Sequence, residues 1–174
     1  MNNQPIELFG ITPPSHFPQC PPHHPCTQFC ESDTLCLPSK KIKIDNVRQV
    51  CLNVLIQSFK TICTPVGNKL VIDGKKQIKL LFSSNNCRQP LYSVDFEIPF
   101  CTFILLKDLQ GDIVDVCTVI EDISIQCMDS NSLTIASIIF VCPVVKKDHG
   151  LCPTPPPHPT QSMCIHCHSY LNPV

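Results

Sequence analysis

Tryptophan is absent, glycine occurs only five times in 174 residues, and charged residues make up 16%. So little glycine leaves no Gly-rich loop whose backbone amides would cradle a phosphate. A formal net charge of −1 offers no electrostatic footprint for nucleic acid or an anionic membrane surface. No apolar run approaches the ~18 residues that mark a membrane-spanning helix. The opening Met1-Asn2-Asn3-Gln4-Pro5 has no basic region leading into an apolar stretch, so no secretory signal is expected.

Two residue types are present in excess. The 14 cysteines amount to about 8% of the chain, near the density at which short chains are read as disulfide scaffolds. Such a density belongs to oxidising compartments, yet no export signal is expected. Either the protein is made in a cytosol and oxidised only once that cell lyses, or the thiols hold metal. The 18 prolines divide the chain. Seven lie in the first 25 residues and five in residues 153–159, while only Pro65, Pro90 and Pro99 lie between Lys40 and Cys142. Proline removes a ladder donor and fixes φ, so the dense ends are poor strands and poor helices. Residues 1–38 and 146–174 are therefore expected to be extended, partly polyproline-like arms rich in Pro and Cys, and residues 39–145 a folded domain.

The middle of the chain alternates with period two. Tyr92, Val94, Phe96 and Ile98 interleave with Ser93, Asp95 and Glu97; Val50, Leu52, Val54 and Ile56 repeat the pattern, as do Ile78, Leu80 and Phe82. Alternation turns one face to a core and the other to water. Val114, Val116 and Ile120 are in one phase and Ile123 and Ile125 in the other, which predicts a bulge near Glu121 and Asp122. Residues 133–141, apolar on both faces, suit a central strand. Turn signals stand at Val66-Gly67-Asn68, Asp73-Gly74, residues 83–86, Gln110-Gly111-Asp112 and residues 129–132. Six to eight short-linked strands make the expected fold all-β, a single antiparallel sandwich or partly open barrel.

Residues 65–104 hold a more specific pattern: Val66-Gly67-Asn68-Lys69-Leu70-Val71-Ile72-Asp73-Gly74, then Ile78-Lys79-Leu80-Leu81-Phe82, then Gln89-Pro90-Leu91-Tyr92-Ser93-Val94-Asp95-Phe96-Glu97-Ile98-Pro99-Phe100-Cys101-Thr102-Phe103-Ile104. This resembles the SPOCS domain of spore-coat and spore-morphogenesis proteins of endospore-forming Firmicutes, over about residues 38–146. Alternation alone does not dictate Ile98-Pro99-Phe100. The resemblance implies an all-β assembly module without known catalytic residues, on the endospore surface, in coat, exosporium or appendage. It also implies synthesis in the mother-cell cytoplasm and oxidation on or after mother-cell lysis, which resolves the cysteine puzzle. This chain is richer in cysteine than the family's members often are.

Seven cysteines lie in or beside the arms: Cys20, Cys26, Cys30, Cys36, Cys152, Cys164 and Cys167. An extended chain keeps its thiols apart, and a disulfide needs Cα atoms within about 7 Å. These seven are accordingly the candidates for disulfides between chains. The expected function is a structural, self-assembling subunit whose partners are its own copies and other spore-surface proteins, with neither nucleic acid nor membrane. Within the domain, Cys51, Cys63, Cys87, Cys101, Cys117, Cys127 and Cys142 are read as a mixture of core thiols and docking points, Cys117 and Cys127 being placed to face outward.

Two alternatives are carried forward. Cys164-Ile165-His166-Cys167-His168 has the C-x-x-C-H spacing of c-type haem attachment, with His168 as axial ligand. Cys164, Cys167, His166 and His168, with Cys152 or His149, also offer four N/S ligands to zinc, and Cys26 and Cys30 lie near His23 and His24. No cofactor is expected ahead of these readings. The other alternative is a scaffold that recruits coat proteins without polymerising. No catalytic residue is expected: Asp95 and Glu97 read as solvated carboxylates on an outer strand face.

Overall fold

A computed structural model describes residues 5–39, 41–84, 91–107, 109 and 111–146. Seven strands are found among them: β1 (Glu7–Phe9), β2 (Thr27–Cys36), β3 (Asn46–Thr64), β4 (Gly67–Ser83), β5 (Leu91–Leu106), β6 (Asp112–Cys127) and β7 (Ser132–Lys146). They form two sheets, in the orders β1-β3-β4-β5 and β2-β7-β6. Neither sheet closes on itself, so the all-β expectation takes its sandwich form. Every pairing is antiparallel except that of β1 with β3, which is parallel. A single 3₁₀ turn (Pro14–His16) is the one helical element among the described residues.

The alternation read from the sequence is the alternation of burial. On β4 every second residue from Leu70 to Phe82 is buried, and Tyr92, Val94, Phe96 and Ile98 of β5 turn the same way. Two apolar clusters fill the space between the sheets. One gathers Val50, Leu52, Ile78, Leu80, Phe82, Ile123, Leu133 and Ile135, the other Leu70, Ile72, Ile104, Val116, Ile139 and Val141. Between them the inner face of β4 carries Gly74 and Lys76. The Lys76 side chain is fully buried and reaches across to β2, where Nζ donates to Glu31 at 2.7 Å and to Asp33. A charged seam thus divides the apolar interior and ties the two sheets together.

β7 is the central strand of its sheet, as its apolar run predicts. The expected bulge in β6 is found between Ile120 and Asp122. A second irregularity, between Ile113 and Asp115, was not expected. It leaves Val114 52% exposed, out of phase with Val116 and Ile120 with which the alternation grouped it. Asp73-Gly74 is not a turn but lies in the middle of β4. A Cβ on Gly74 would stand 2.5 Å from the Phe100 ring and 2.8 Å from the Leu55 carbonyl oxygen. Glycine is needed there for close approach rather than for turning.

The N-terminal boundary differs most. Residues 1–38 were expected to form an arm, but residues 27–36 are edge strand β2, paired along their whole length with β7. No proline lies between Pro25 and Pro38, and Phe29 and Leu35 turn inward while Cys30, Ser32, Thr34 and Cys36 turn out. Glu31 and Asp33 occupy the inward positions between them, so the apolar pattern was hidden. The chain before β2 is also bound. Gly10 (φ 106°) adjoins Leu52 so closely that a Cβ would strike the Leu52 carbonyl oxygen. Thr12 then donates its amide to the Ile120 carbonyl at 2.8 Å, and Phe17 and Cys20 lie over the outer face of β6 and β7. The Pro-rich segment needs no ladder partner because it crosses the sheet as a cover. Residues 147–174, the larger part of the expected C-terminal arm, lie outside the described residues.

Candidate functional site

The chemistry-bearing residues of this chain are its thiols, and the fold sorts them by strand face. Period-two side-chain direction puts Cys30 and Cys36 on one face of β2, away from the core, and both are exposed. The ladder sets them opposite Ile138 and Ser132, not opposite other cysteines. Six residues of extended strand separate them by about 20 Å, far beyond the ~7 Å Cα limit for a disulfide. Neither can bond the other without unravelling β2. Cys26, just ahead of the strand, is exposed as well.

The opposite sheet carries a second exposed set. Cys63 lies at the end of β3 opposite Asn68, and Cys101 lies on β5 opposite Asp73. Cys51 is half-buried on β3, registered with Phe9 on one side and Lys79 on the other. Cys127 ends β6 and is exposed, as expected. The Asp73 carboxylate accepts from the Cys101 thiol and raises its pKa above the ordinary 9.0. A raised thiol pKa means less thiolate at pH 8 and slower attack on an electrophile. Asp73→Asn is therefore expected to speed iodoacetamide labelling of Cys101 several-fold at pH 8, measured by mass spectrometry. An unchanged rate would show that Asp73 does not govern this thiol.

Cys20, Cys117 and Cys142 are different. Cys117 of β6 and Cys142 of β7 are direct register partners. With Val119 and Val144 they form a small apolar cluster on the outer side of the sheet, covered by Phe17, Cys20 and Phe140. Cys117 does point away from the main core, as its parity predicts, but the N-terminal segment buries it to 7% exposure. Cys142 is hydrogen-bonded to both other thiols. Of the four described cysteines among the seven named as candidates for bonding between chains, Cys20 lies against Cys117 and Cys142, and Cys26 is near enough to Cys20 to act on its charge; no such thiol neighbour is found for Cys30 or Cys36 among the described residues. Cys152, Cys164 and Cys167, together with His166 and His168, lie outside the described residues. Cys117 and Cys142 were missed because their pairing is set by strand register and their cover by the path of a proline-rich segment.

No disulfide links the ten described cysteines. Among the described residues no three His, Cys, Asp or Glu side chains are arranged to hold a metal ion. A cleft of 1020 Å³ opens between the β3–β4 and β5–β6 connections, lined by Phe59, Lys60, Leu106, Lys107, Asp112 and Ile113 among others; among the described residues no cysteine or histidine faces it. Asp95 and Glu97 are exposed on β5. Lys75 Nζ at 2.8 Å and Gln77 Nε2 at 2.9 Å donate to Glu97 and hold its carboxyl below the usual range.

Residues 43–128 match the family model described as SipL, SPOCS domain. No curated protein and no solved structure gives a significant match. The matched residues contain β3, β4, β5 and β6. Strands β1, β2 and β7 lie outside them, so two of the three strands of the second sheet, with Cys20, Cys26, Cys30, Cys36 and Cys142, are supplied by flanking sequence.

Proposed function

This chain is a SPOCS-domain protein through residues 43–128, a family linked to spore coat proteins, and from that premise we propose that it is a non-enzymatic, self-assembling subunit of the endospore surface whose copies are joined by disulfides. The layer is the coat, the exosporium or an appendage. The partners are further copies of the chain and other spore-surface proteins, and synthesis takes place in the mother-cell cytoplasm.

One observation carries this reading. The exposed Cys30 and Cys36 sit on an edge strand, with no cysteine across the ladder and no reach to each other. A thiol fixed on a rigid strand is offered only to a thiol brought from elsewhere. Support comes from the neighbouring edge. β5 is 16 residues long and, among the described residues, has one lateral side unpaired, with Leu91, Phe103 and Leu105 exposed. Long edge strands are templates for strand addition unless blunted. Pro99 interrupts the donors of β5, which suits an edge position and leaves stretches on either side for pairing.

The experiment is oxidation of the purified, fully reduced chain, followed by non-reducing electrophoresis and electron microscopy. The expected result is high-mass species, seen as sheets or filaments, that collapse to single chains with a thiol reductant. Replacing Cys26, Cys30 and Cys36 together by serine is expected to remove most of them. A chain that stays monomeric under oxidation, or assemblies indifferent to reductant, would overturn disulfide-joined assembly. Monomers would favour a scaffold that recruits other coat proteins.

A further inference from the structure

We propose that Cys20, Cys117 and Cys142 form an intrachain disulfide relay that staples the N-terminal segment onto the outer face of the β2-β7-β6 sheet. Cys20 then belongs to this site and not with the exposed thiols that join chains. The inference is independent of polymerisation.

Geometry carries it. Directly opposed residues in an antiparallel pair have Cα atoms about 4.5–5.5 Å apart, inside the window of about 4.4–6.8 Å that disulfides occupy. The register places Cys117 and Cys142 in that relation. Cys20 closes over the same pair from the N-terminal segment, and its thiol is hydrogen-bonded to Cys142. Cys142 therefore has two possible partners and can bond only one at a time. The segment that delivers Cys20 is fastened on both sides: Thr12 binds the Ile120 backbone before it, and the His24 ring binds the Pro143 carbonyl at 2.9 Å after it. Cys20 is thus presented to Cys142 by a docked segment.

The protonation pattern bears on the rate of exchange, since a raised pKa slows attack by the thiol that carries it. Burial raises the Cys20 pKa. The hydrogen bond between Cys142 and Cys117 pulls the two apart, lowering Cys117 and raising Cys142. Of the two, Cys117 is the thiol that ionises more readily, and Cys142 donates to it.

With a low-molecular-weight disulfide RSSR as oxidant, the half-buried Cys20 is the point of entry. Its sulfur attacks RSSR and forms Cys20–S–S–R, and the released RS⁻ takes the Cys20 proton. Cys142 then attacks Cys20 Sγ, passing its proton to Cys117, and the second RS⁻ leaves. Two protein thiols have been oxidised by two electrons and one RSSR reduced to two thiols. Attack of Cys117 on Cys142 Sγ next forms Cys117–S–S–Cys142, and Cys20 leaves with the proton that Cys117 gives up. That last exchange involves no net oxidation. It returns Cys20 as a thiol and frees the segment from its staple.

The test is peptide mapping of the dilute, full-length chain oxidised with oxidised glutathione, acid-quenched and alkylated, with tandem fragmentation to assign each cysteine. Most chains are expected to carry Cys142 bonded to Cys20 or to Cys117. Cys117→Ser is expected to leave only the Cys20–Cys142 bond, Cys20→Ser to slow formation of the Cys117–Cys142 bond many-fold because the point of entry is gone, and Cys142→Ser to trap glutathione on Cys20. The proposal falls if Cys20 is found mainly bonded to a cysteine outside this trio. It also falls if Cys117 and Cys142 stay reduced while Cys30 is oxidised. The unsubstituted chain alone decides this, so a variant that fails to fold does not blur the result. Monomers linked within the trio would sustain the relay even where no polymer forms, and polymers bridged through Cys20 would do the reverse.

Discussion

Lys76→Met is expected to lower the unfolding free energy by about 3 kcal/mol, the lower end of the cost of removing one partner from a buried ion pair. The side chain is 0% exposed and answers two carboxylates on the facing sheet, Glu31 and Asp33. Removing it leaves two negative charges at the sheet interface with no cation between them. The lower end applies because Glu31 is 36% exposed and can turn toward water. The check is the urea midpoint of reduced protein at neutral pH. A companion variant, Lys76→Met with Glu31→Leu and Asp33→Leu, is expected to recover wild-type stability or exceed it, since an apolar replacement of a whole buried charge cluster is often neutral or stabilising. An unchanged midpoint for the single variant would mean that the triad does not hold the sheets together.

Gly74→Ala is expected to cost about 1–3 kcal/mol, the range for inserting a methyl group into a packed interior. The new Cβ would meet Phe100 Cζ at 2.5 Å, Phe100 Cε1 at 2.6 Å and the Leu55 carbonyl oxygen at 2.8 Å. The ring cannot withdraw freely, because Phe29 of β2 stands 5.5 Å from it, centroid to centroid. Phe100→Leu shortens the obstructing side chain, so the two substitutions should be coupled: the double variant is expected to be more stable than the sum of the single losses predicts, by at least about 0.5 kcal/mol. Strict additivity in a denaturant-melting cycle would sink the assignment of the clash to Phe100. Some loss should persist in the double variant, because the Leu55 carbonyl belongs to the backbone.

Both predictions concern the same strip of the sandwich, and that strip positions the thiols. Lys76 fixes Glu31 and Asp33 inward, and side chains on a strand alternate, so Cys30 and Cys36 are fixed outward. A slip of β2 by one residue would turn Cys30, Ser32, Thr34 and Cys36 into the core and expose Phe29 and Leu35. The buried cation acts against that slip, since in the slipped register it would face Ser32 without a carboxylate. The direction in which the exposed thiols are offered therefore depends on an ion cluster on the far side of the same strand.

Sequence by itself determined the all-β class, strands at the places of β3, β5, β6 and β7, the second half of β4, the central place of β7, the bulge after Ile120 and the SPOCS resemblance. Each of these is written in nearest-neighbour terms: side-chain period, β-branching and turn residues act over a few positions and need no distant partner. Tertiary structure alone decided the rest. β2 was read as arm because Glu31 and Asp33 break its apolar alternation, and they make sense as inward residues only beside Lys76, more than forty positions away. Asp73-Gly74 has the local chemistry of a turn, and only the Phe100 ring on the neighbouring strand explains a glycine in mid-strand. Cys117 and Cys142 are 25 positions apart in the chain and become partners through register, while Cys20 joins them because a proline-rich segment, barred from making a ladder, lies flat across the sheet that one has made.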